Sequence, residues 1–286
     1  MEWPGLLPCA AYHPGQPVNE LLLRAITGAV YVALTLLAAW AGPFTTMLLF
    51  LPVCIIAARE MRRLVLDTDD ETVDIWGMLL AATVYVGMSL IAFTEHWGWL
   101  EVLGLVFLLL LISSIWLLVR GTPRPEQVVG TYFTQVLLVG MPFGTLTHLF
   151  GHGSSLFVAF MVMLWTNDTG AYLVGRALGR HKLMPAVSPK KTIEGFIGGV
   201  ALAVGVGWLA ARWLPYLTPM EWMGAGAIVG ITGTCGDLIE SAFKRARGVK
   251  DSGTLLPGHG GLLDRFDGLL IAAPAMVLYI HLIGKG

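Results

Sequence analysis

Asp237, Glu240, Ser241 and Lys244 follow one another at i, i+3, i+4 and i+7, so on a helix they form a single stripe. Asp264 and Asp267 repeat the i, i+3 spacing further on. Between the two groups runs Lys250-Asp251-Ser252-Gly253-Thr254-Leu255-Leu256-Pro257-Gly258-His259-Gly260-Gly261, whose glycines permit a backbone nest able to present N–H groups to phosphate oxygens. Carboxylates, lysines and a glycine-rich loop together describe a metal-phosphate site. A hard divalent ion such as Mg2+ takes oxygen ligands, commonly one or two carboxylates plus substrate phosphates, and Asp237 and Asp264 suit that role. A second basic element, Ser188-Pro189-Lys190-Lys191-Thr192-Ile193-Glu194-Gly195, precedes an apolar run whose helix N-terminus would add partial positive charge. Asp168, in Trp165-Thr166-Asn167-Asp168-Thr169-Gly170, interrupts another apolar run, and an ionisable group there is a functional hypothesis by default.

These side chains must be positioned by elements that live in a bilayer. Of the 286 residues 56% are apolar and 13% charged, against roughly 25% charged in soluble domains. One compact core cannot hide so much apolar surface. Apolar stretches near the roughly 20-residue length that crosses a bilayer predict about nine transmembrane helices, at 21–41, 44–58, 75–94, 99–119, 128–150, 155–178, 193–214, 222–243 and 267–284. The second is short and the fifth contains Pro142. The expected fold is therefore an all-α polytopic integral membrane protein. Its expected parts are a tail at 1–20, five membrane helices over 21–150, and a catalytic membrane domain of four spans over 151–286.

With the N-terminus in the cytoplasm, 16 of the 18 basic residues fall on the inside: Arg24, Arg59, Arg62, Arg63, Arg120, Arg124, Arg176, Arg180, Lys182, Lys190, Lys191, Lys244, Arg245, Arg247, Lys250 and Arg265. Only Arg212 and Lys285 remain outside, as the positive-inside rule asks. Counted from cytoplasmic ends near Gly175 and Lys244, Asp168 and Asp237 both lie about 10 Å deep. Glu194, Asp264 and Asp267 open their spans from the same side, so four spans bring carboxylates to one layer.

Each feature has a plainer reading. Lys190 and Lys191 serve topology as well as they serve a substrate. The run from Gly258 to Gly261 reads by itself as a tight turn. His259 alone is an ordinary loop histidine, and Asp168 alone could bond a neighbouring hydroxyl. Those readings leave the common side and depth unexplained. Trp97, Trp99 and Trp222, near span ends, read as interface anchors, and Glu95, Glu101, Arg212 and Glu221 at the opposite face receive no role. Cys9, Cys54 and Cys235 suggest no disulfide framework.

From Ser241-Ala242-Phe243-Lys244-Arg245 through Lys250-Asp251 to Leu256-Pro257-Gly258-His259-Gly260-Gly261-Leu262-Leu263-Asp264-Arg265-Phe266-Asp267, the chain resembles, without departure, the C-terminal motif of the phosphatidate cytidylyltransferases, or CDP-diacylglycerol synthases. Asn167-Asp168-Thr169-Gly170-Ala171-Tyr172 and Ser188-Pro189-Lys190-Lys191-Thr192 with Glu194-Gly195 resemble further blocks of that family. The likeness covers Trp165 to about Gly268, and the first five spans only in hydropathy.

The resemblance implies condensation of CTP with phosphatidic acid to CDP-diacylglycerol and pyrophosphate. It further implies Mg2+ on Asp237 and Asp264, a monovalent cation such as K+ beside it, a homodimer, and a place in the cytoplasmic (inner) membrane with the active site facing the cytoplasm. Asp237, Asp264, Lys244 and Lys250 become the expected catalytic residues. Asp168, Lys190, Lys191, Ser241, Arg245, Asp251, His259, Gly260, Gly261, Arg265 and Asp267 become the expected substrate-binding residues. Partners are then CTP, phosphatidic acid and the bilayer, with no nucleic acid. A CTP-dependent polyprenol or phytol kinase is the nearest rival, and the full Lys250 to Asp267 pattern argues against it. An ion-coupled transporter would carry buried carboxylates nearer the midplane, on broken helices of repeated halves.

Overall fold

Apolar runs punctuated by Gly, Pro and clustered charge give helices joined by short turns, because lipid leaves backbone polar groups no partner outside the segment. The structure is a computed structural model that describes residues 18–66, 70–94, 98–255 and 260–284. The helices are α1 (Val18–Ala41), α2 (Pro43–Val65), α3 (Glu71–Phe93), α4 (Trp99–Val119), α5 (Pro125–Gln135), α6 (Met141–His148), α7 (Ser154–Leu178), α8 (Ile193–Ala210), α9 (Pro219–Ala246) and α10 (Leu269–Leu282). A π-helical turn over Val136–Gly140 splices α5 to α6, so Pro125–Gly151 acts as one span. Pro142 falls in the first turn of α6, where its missing N–H costs least.

Seven of these segments are long and apolar enough to cross a membrane: α2, α3, α4, α5 with α6, α7, α8 and α9. Ile26–Ala41 and Leu269–Leu282 are shorter apolar helices. The chain is thus an all-α polytopic membrane protein. The short second run predicted at 44–58 sits inside a 23-residue helix, because α2 continues through its charged end to Val65.

Two expectations about elements are corrected. Asp264 and Asp267 do not open a helix: Asp264 lies in a 3-10 turn at Leu263–Arg265, and α10 starts only at Leu269. Trp222 is no interface anchor, since its ring is fully buried and its indole N–H donates to the Leu214 carbonyl at 3.0 Å. Glu101 and Glu221, left without a role above, cap the first turns of α4 and α9 by accepting from the backbone N–H of Gly98 and Thr218. Most of the tail at 1–20 lies outside the described residues, although Val18–Glu20 already belong to α1.

The tightest packing sets α7 against α8. A Cβ at Gly195 would stand 2.6 Å from the Ala171 carbonyl oxygen, and one at Gly199 would stand 2.6 Å from that of Asn167, so only small residues let these backbones approach. Phe50 of α2, Phe143 of α6, Phe157 of α7 and Phe266 just before α10 pack edge-to-face or tilted around one another. That core therefore draws on both sides of residue 150. A second cluster joins α3, α4 and α5 through Leu80, Val84, Val102, Val106 and Tyr132. A buried ion pair of Arg62 with Asp74, supported by Arg59 at 3.2 Å, ties the charged end of α2 to the first turn of α3.

Candidate active site

A cavity of about 1090 Å³ opens between α1, α2, α7, the segment after α7, and α9. One part of its wall is charged: Asp168 from α7, Asp237 from α9, Asp264, Arg265 and Asp267 from the turn before α10, with Arg176, Lys190 and Lys191. Another is apolar, with Ile26, Val30 and Leu34 of α1 and Leu49, Phe50 and Val53 of α2. The cavity is larger than a typical pocket for a compact ligand, about 300–1,000 Å³.

The lysine pair arrives on a device that an all-helical reading does not contain. The chain leaving α7 forms an antiparallel hairpin, β1 (Lys182–Met184) with β2 (Ser188–Thr192), that ends directly in α8. Thr192 caps α8 by accepting from the Gly195 N–H at 3.2 Å. Glu194 accepts from the backbone N–H of Arg180 at 3.0 Å and of His181, and bonds the His181 ring at 2.6 Å. Glu194 thus holds the base of the hairpin and is not on the cavity wall, so three segments, not four spans, supply its carboxylates. Lys191 forms an ion pair with Asp237, while Lys190 is exposed on the wall.

The stripe on α9 forms as its spacing predicts. The Ser241 hydroxyl donates to Asp237 Oδ1 at 3.2 Å, and Lys244 Nζ donates to Glu240 Oε2 at 2.9 Å and to Asp264 Oδ1 at 2.6 Å. Asp264 also accepts at Oδ2 from the Ser252 N–H (2.8 Å), the Ser252 hydroxyl (2.9 Å) and the Gly261 N–H (2.8 Å). Burial alone would push the Asp264 carboxyl up, but the Lys244 ammonium and these backbone N–H groups together hold it below the usual carboxylate range. Asp267 accepts from the Gly268 N–H at 2.7 Å and feels the charges of Asp237, Glu240 and Asp168.

The glycine-rich loop departs from expectation. The N–H groups of Ser252 and Gly261 point at Asp264, and those of Leu262 and Leu263 point at Glu60. These donors serve the protein's own carboxylates and are not a free nest for phosphate. Gly260 turns the loop at φ +80°, a conformation that favours glycine. Lys250 and Asp251 are exposed and off the cavity wall. Arg245 also lies off it, tying the hairpin to the end of α9 through the carbonyls of Val187 (3.3 Å) and Val249 (2.7 Å). His259 lies outside the described residues. The sequence reading missed Glu60 as a site neighbour, because among Arg59, Arg62 and Arg63 it looks like one more charge at a span end. It also missed the contribution of α1, where Tyr31 packs edge-on to Trp165 and Phe266.

The donor set fits Mg2+ in kind. The carboxylates facing the cavity are all hard oxygen ligands, and the Lys191 ammonium beside Asp237 is a cation in the place a metal ion would neutralise. Among the described residues no three His, Cys, Asp or Glu side chains close into a protein-only cage, an arrangement that Mg2+ bound through water and phosphate does not need.

The sequence that builds this site matches a known family. The cytidylyltransferase family aligns with residues 22–283. A phosphatidate cytidylyltransferase of Bacillus subtilis (strain 168) is 33% identical over 275 residues, covering 92% of this chain and 98% of its own length. One of Staphylococcus aureus (strain COL) is 37% identical over 196 residues, 67% of this chain and 75% of its own. YnbB, an uncharacterized protein of Escherichia coli (strain K12), is 46% identical over 130 residues, 45% of this chain and 44% of its own.

Proposed function

The chain belongs to the cytidylyltransferase family, and from that premise we propose that it condenses CTP with phosphatidic acid to CDP-diacylglycerol and pyrophosphate. The observation that carries this reading is a single cavity with lysines, arginines and carboxylates on one part of its wall and the apolar faces of α1 and α2 on another. Such a cavity can take a soluble triphosphate and a lipid headgroup together.

A phosphomonoester has a second pKa near 6, so the lipid phosphate is largely a dianion at neutral pH and needs no general base. Its oxygen attacks the α-phosphorus of CTP, the bond from that phosphorus to the β-phosphate bridging oxygen breaks, and pyrophosphate leaves. The chain's task is to align two anions and neutralise them. Lys190, Lys191, Arg176 and Arg265 face the cavity and supply positive charge there. Asp264 and Glu240 hold the Lys244 ammonium from two sides and so fix its direction. Mg2+, when bound, supplies charge neutralisation and a template for the phosphates, and Asp237 and Asp264 are the residues that would hold it. A K+ beside it, a homodimer, an inner-membrane location and an active site facing the cytoplasm complete the proposal. The lysine-rich hairpin and the 16 basic residues assigned inside support that orientation.

The test is purified chain with Mg2+ and phosphatidic acid, given CTP labelled at either the α- or the γ-phosphorus. Transfer of the α-label to extracted lipid, with the γ-label released as pyrophosphate, is expected. Transfer of the γ-label would mean a lipid kinase, and no transfer would defeat both readings. Asp237→Asn and Asp264→Asn should each lower turnover by about a hundredfold or more, with normal membrane insertion.

A further inference from the structure

Glu60 is a buried carboxylate at the charged end of α2, and it is absent from the cavity wall. Its neighbours on the helix, Arg59 and Arg62, pair with Asp74. Glu60 instead reaches into the loop before α10. Oε1 accepts from the Leu262 N–H at 3.0 Å, and Oε2 accepts from the Leu263 N–H at 2.7 Å and, at 3.1 Å, shares with Asp264 the one proton of the Ser252 hydroxyl. The loop can close on this carboxylate only because it lacks side chains at two points. A Cβ at Gly253 would come 2.5 Å from Oε1, and one at Gly261 would come 2.6 Å from Oε2. Ser252 and Gly261, on the same short stretch, are the residues whose N–H groups hold Asp264.

We propose that Glu60 is a positioning residue for the transferase site: by gripping the Ser252 hydroxyl and the backbone N–H groups of residues 262–263 it holds Asp264, a residue of the cavity wall, against the buried Lys244 behind it. The grip crosses from the N-terminal helices to the C-terminal motif. Removing it frees three hydrogen-bonded loop groups, the Ser252 hydroxyl and the N–H groups of Leu262 and Leu263, without touching Lys190, Lys191 or Arg176. Glu60→Gln keeps one acceptor oxygen and turns the other into an N–H donor that opposes a loop N–H. Its effect should therefore fall between that of the wild type and that of Glu60→Ala.

The proposal rests on Asp264 belonging to the CTP-dependent site, so the test has two arms on the purified full chain. The first is amide hydrogen exchange over residues 252–265. The second is steady-state kinetics with CTP and phosphatidic acid. Glu60→Ala should speed exchange of that segment while α7, α8 and α9 stay protected. It should cut turnover by about tenfold or more, and KM for CTP should move less than about threefold, since the triphosphate-facing cations stay in place. A purely structural role would instead lower protection across the helices. Wild-type turnover in the alanine variant overturns the proposal. So does lost turnover with unchanged loop exchange, or exchange accelerated throughout the bundle. If Glu60→Ala fails to fold, Glu60→Gln must give the same local pattern at smaller size. A wild-type chain inactive toward CTP defeats the reaction reading and the catalytic half of the proposal with it, while the exchange arm still decides whether Glu60 holds the loop.

Discussion

Asp264 accepts four hydrogen bonds, one from an ammonium and three from Ser252 and Gly261. A carboxylate held so firmly is a fixed negative point on the cavity wall, and its low proton affinity has a measurable consequence. A folded-state pKa below the unfolded value of about 3.9 means that the stabilisation is fully present above that value and is lost as pH falls toward the folded value. The difference in thermal midpoint between wild type and Asp264→Asn should therefore stay level from pH 8 to about 5 and shrink only below about pH 4. A difference that already fades between pH 7 and 6 would mean that Asp264 is not held ionised by Lys244 and the loop N–H groups.

At the scale of elements, the hairpin between α7 and α8 decides whether its lysines can act on substrate. Glu194 and Thr192 pin its base to the first turn of α8, and that register puts Lys190 and Lys191 on the cavity wall. Asp237 holds Lys191 there as an ion pair. Replacing Lys190 and Lys191 together with Gln should lower turnover or raise KM for CTP by about tenfold or more, since even one lost charge-assisted contact costs about 1.5–3 kcal/mol. Arg176, Arg180 and Lys182 remain to fix the orientation of this segment. Unchanged kinetics in a correctly inserted double variant would leave these lysines a topological role alone.

For the whole molecule, the architecture turns on the last helix, which is short for a span. Leu269–Leu282 has 14 residues, and at 1.5 Å per residue it spans about 21 Å, short of the roughly 30 Å hydrocarbon layer. Flanking turns and a locally thinned bilayer can make up such a shortfall at modest cost. A reporter inserted in the hairpin near Arg180 should be cytoplasmic, and one fused after Gly286 should be extracytoplasmic. A cytoplasmic fusion at Gly286 would mean that α10 re-enters on the side from which it came.

Hydropathy and helical periodicity are local properties, so the sequence by itself determined the membrane class, the helical segments and the stripe from Asp237 to Lys244. The long polar motif from Ser241 to Asp267 likewise pointed to the family. Which partner satisfies a buried group is a matter of approach between distant segments, and only the tertiary structure decided it. Glu60 meets Leu263 across 203 positions of sequence, in a helix whose neighbouring arginines read as topology signals. The same approach turned the N–H groups of Leu262 and Leu263 toward Glu60, while Trp222 came to lie in the core and Lys250 in solvent. Helix α1 likewise came across to form a wall of the cavity. No spacing rule encodes the Glu60 grip, because it depends on how closely a loop bare of side chains at Gly253 and Gly261 approaches α2 in three dimensions.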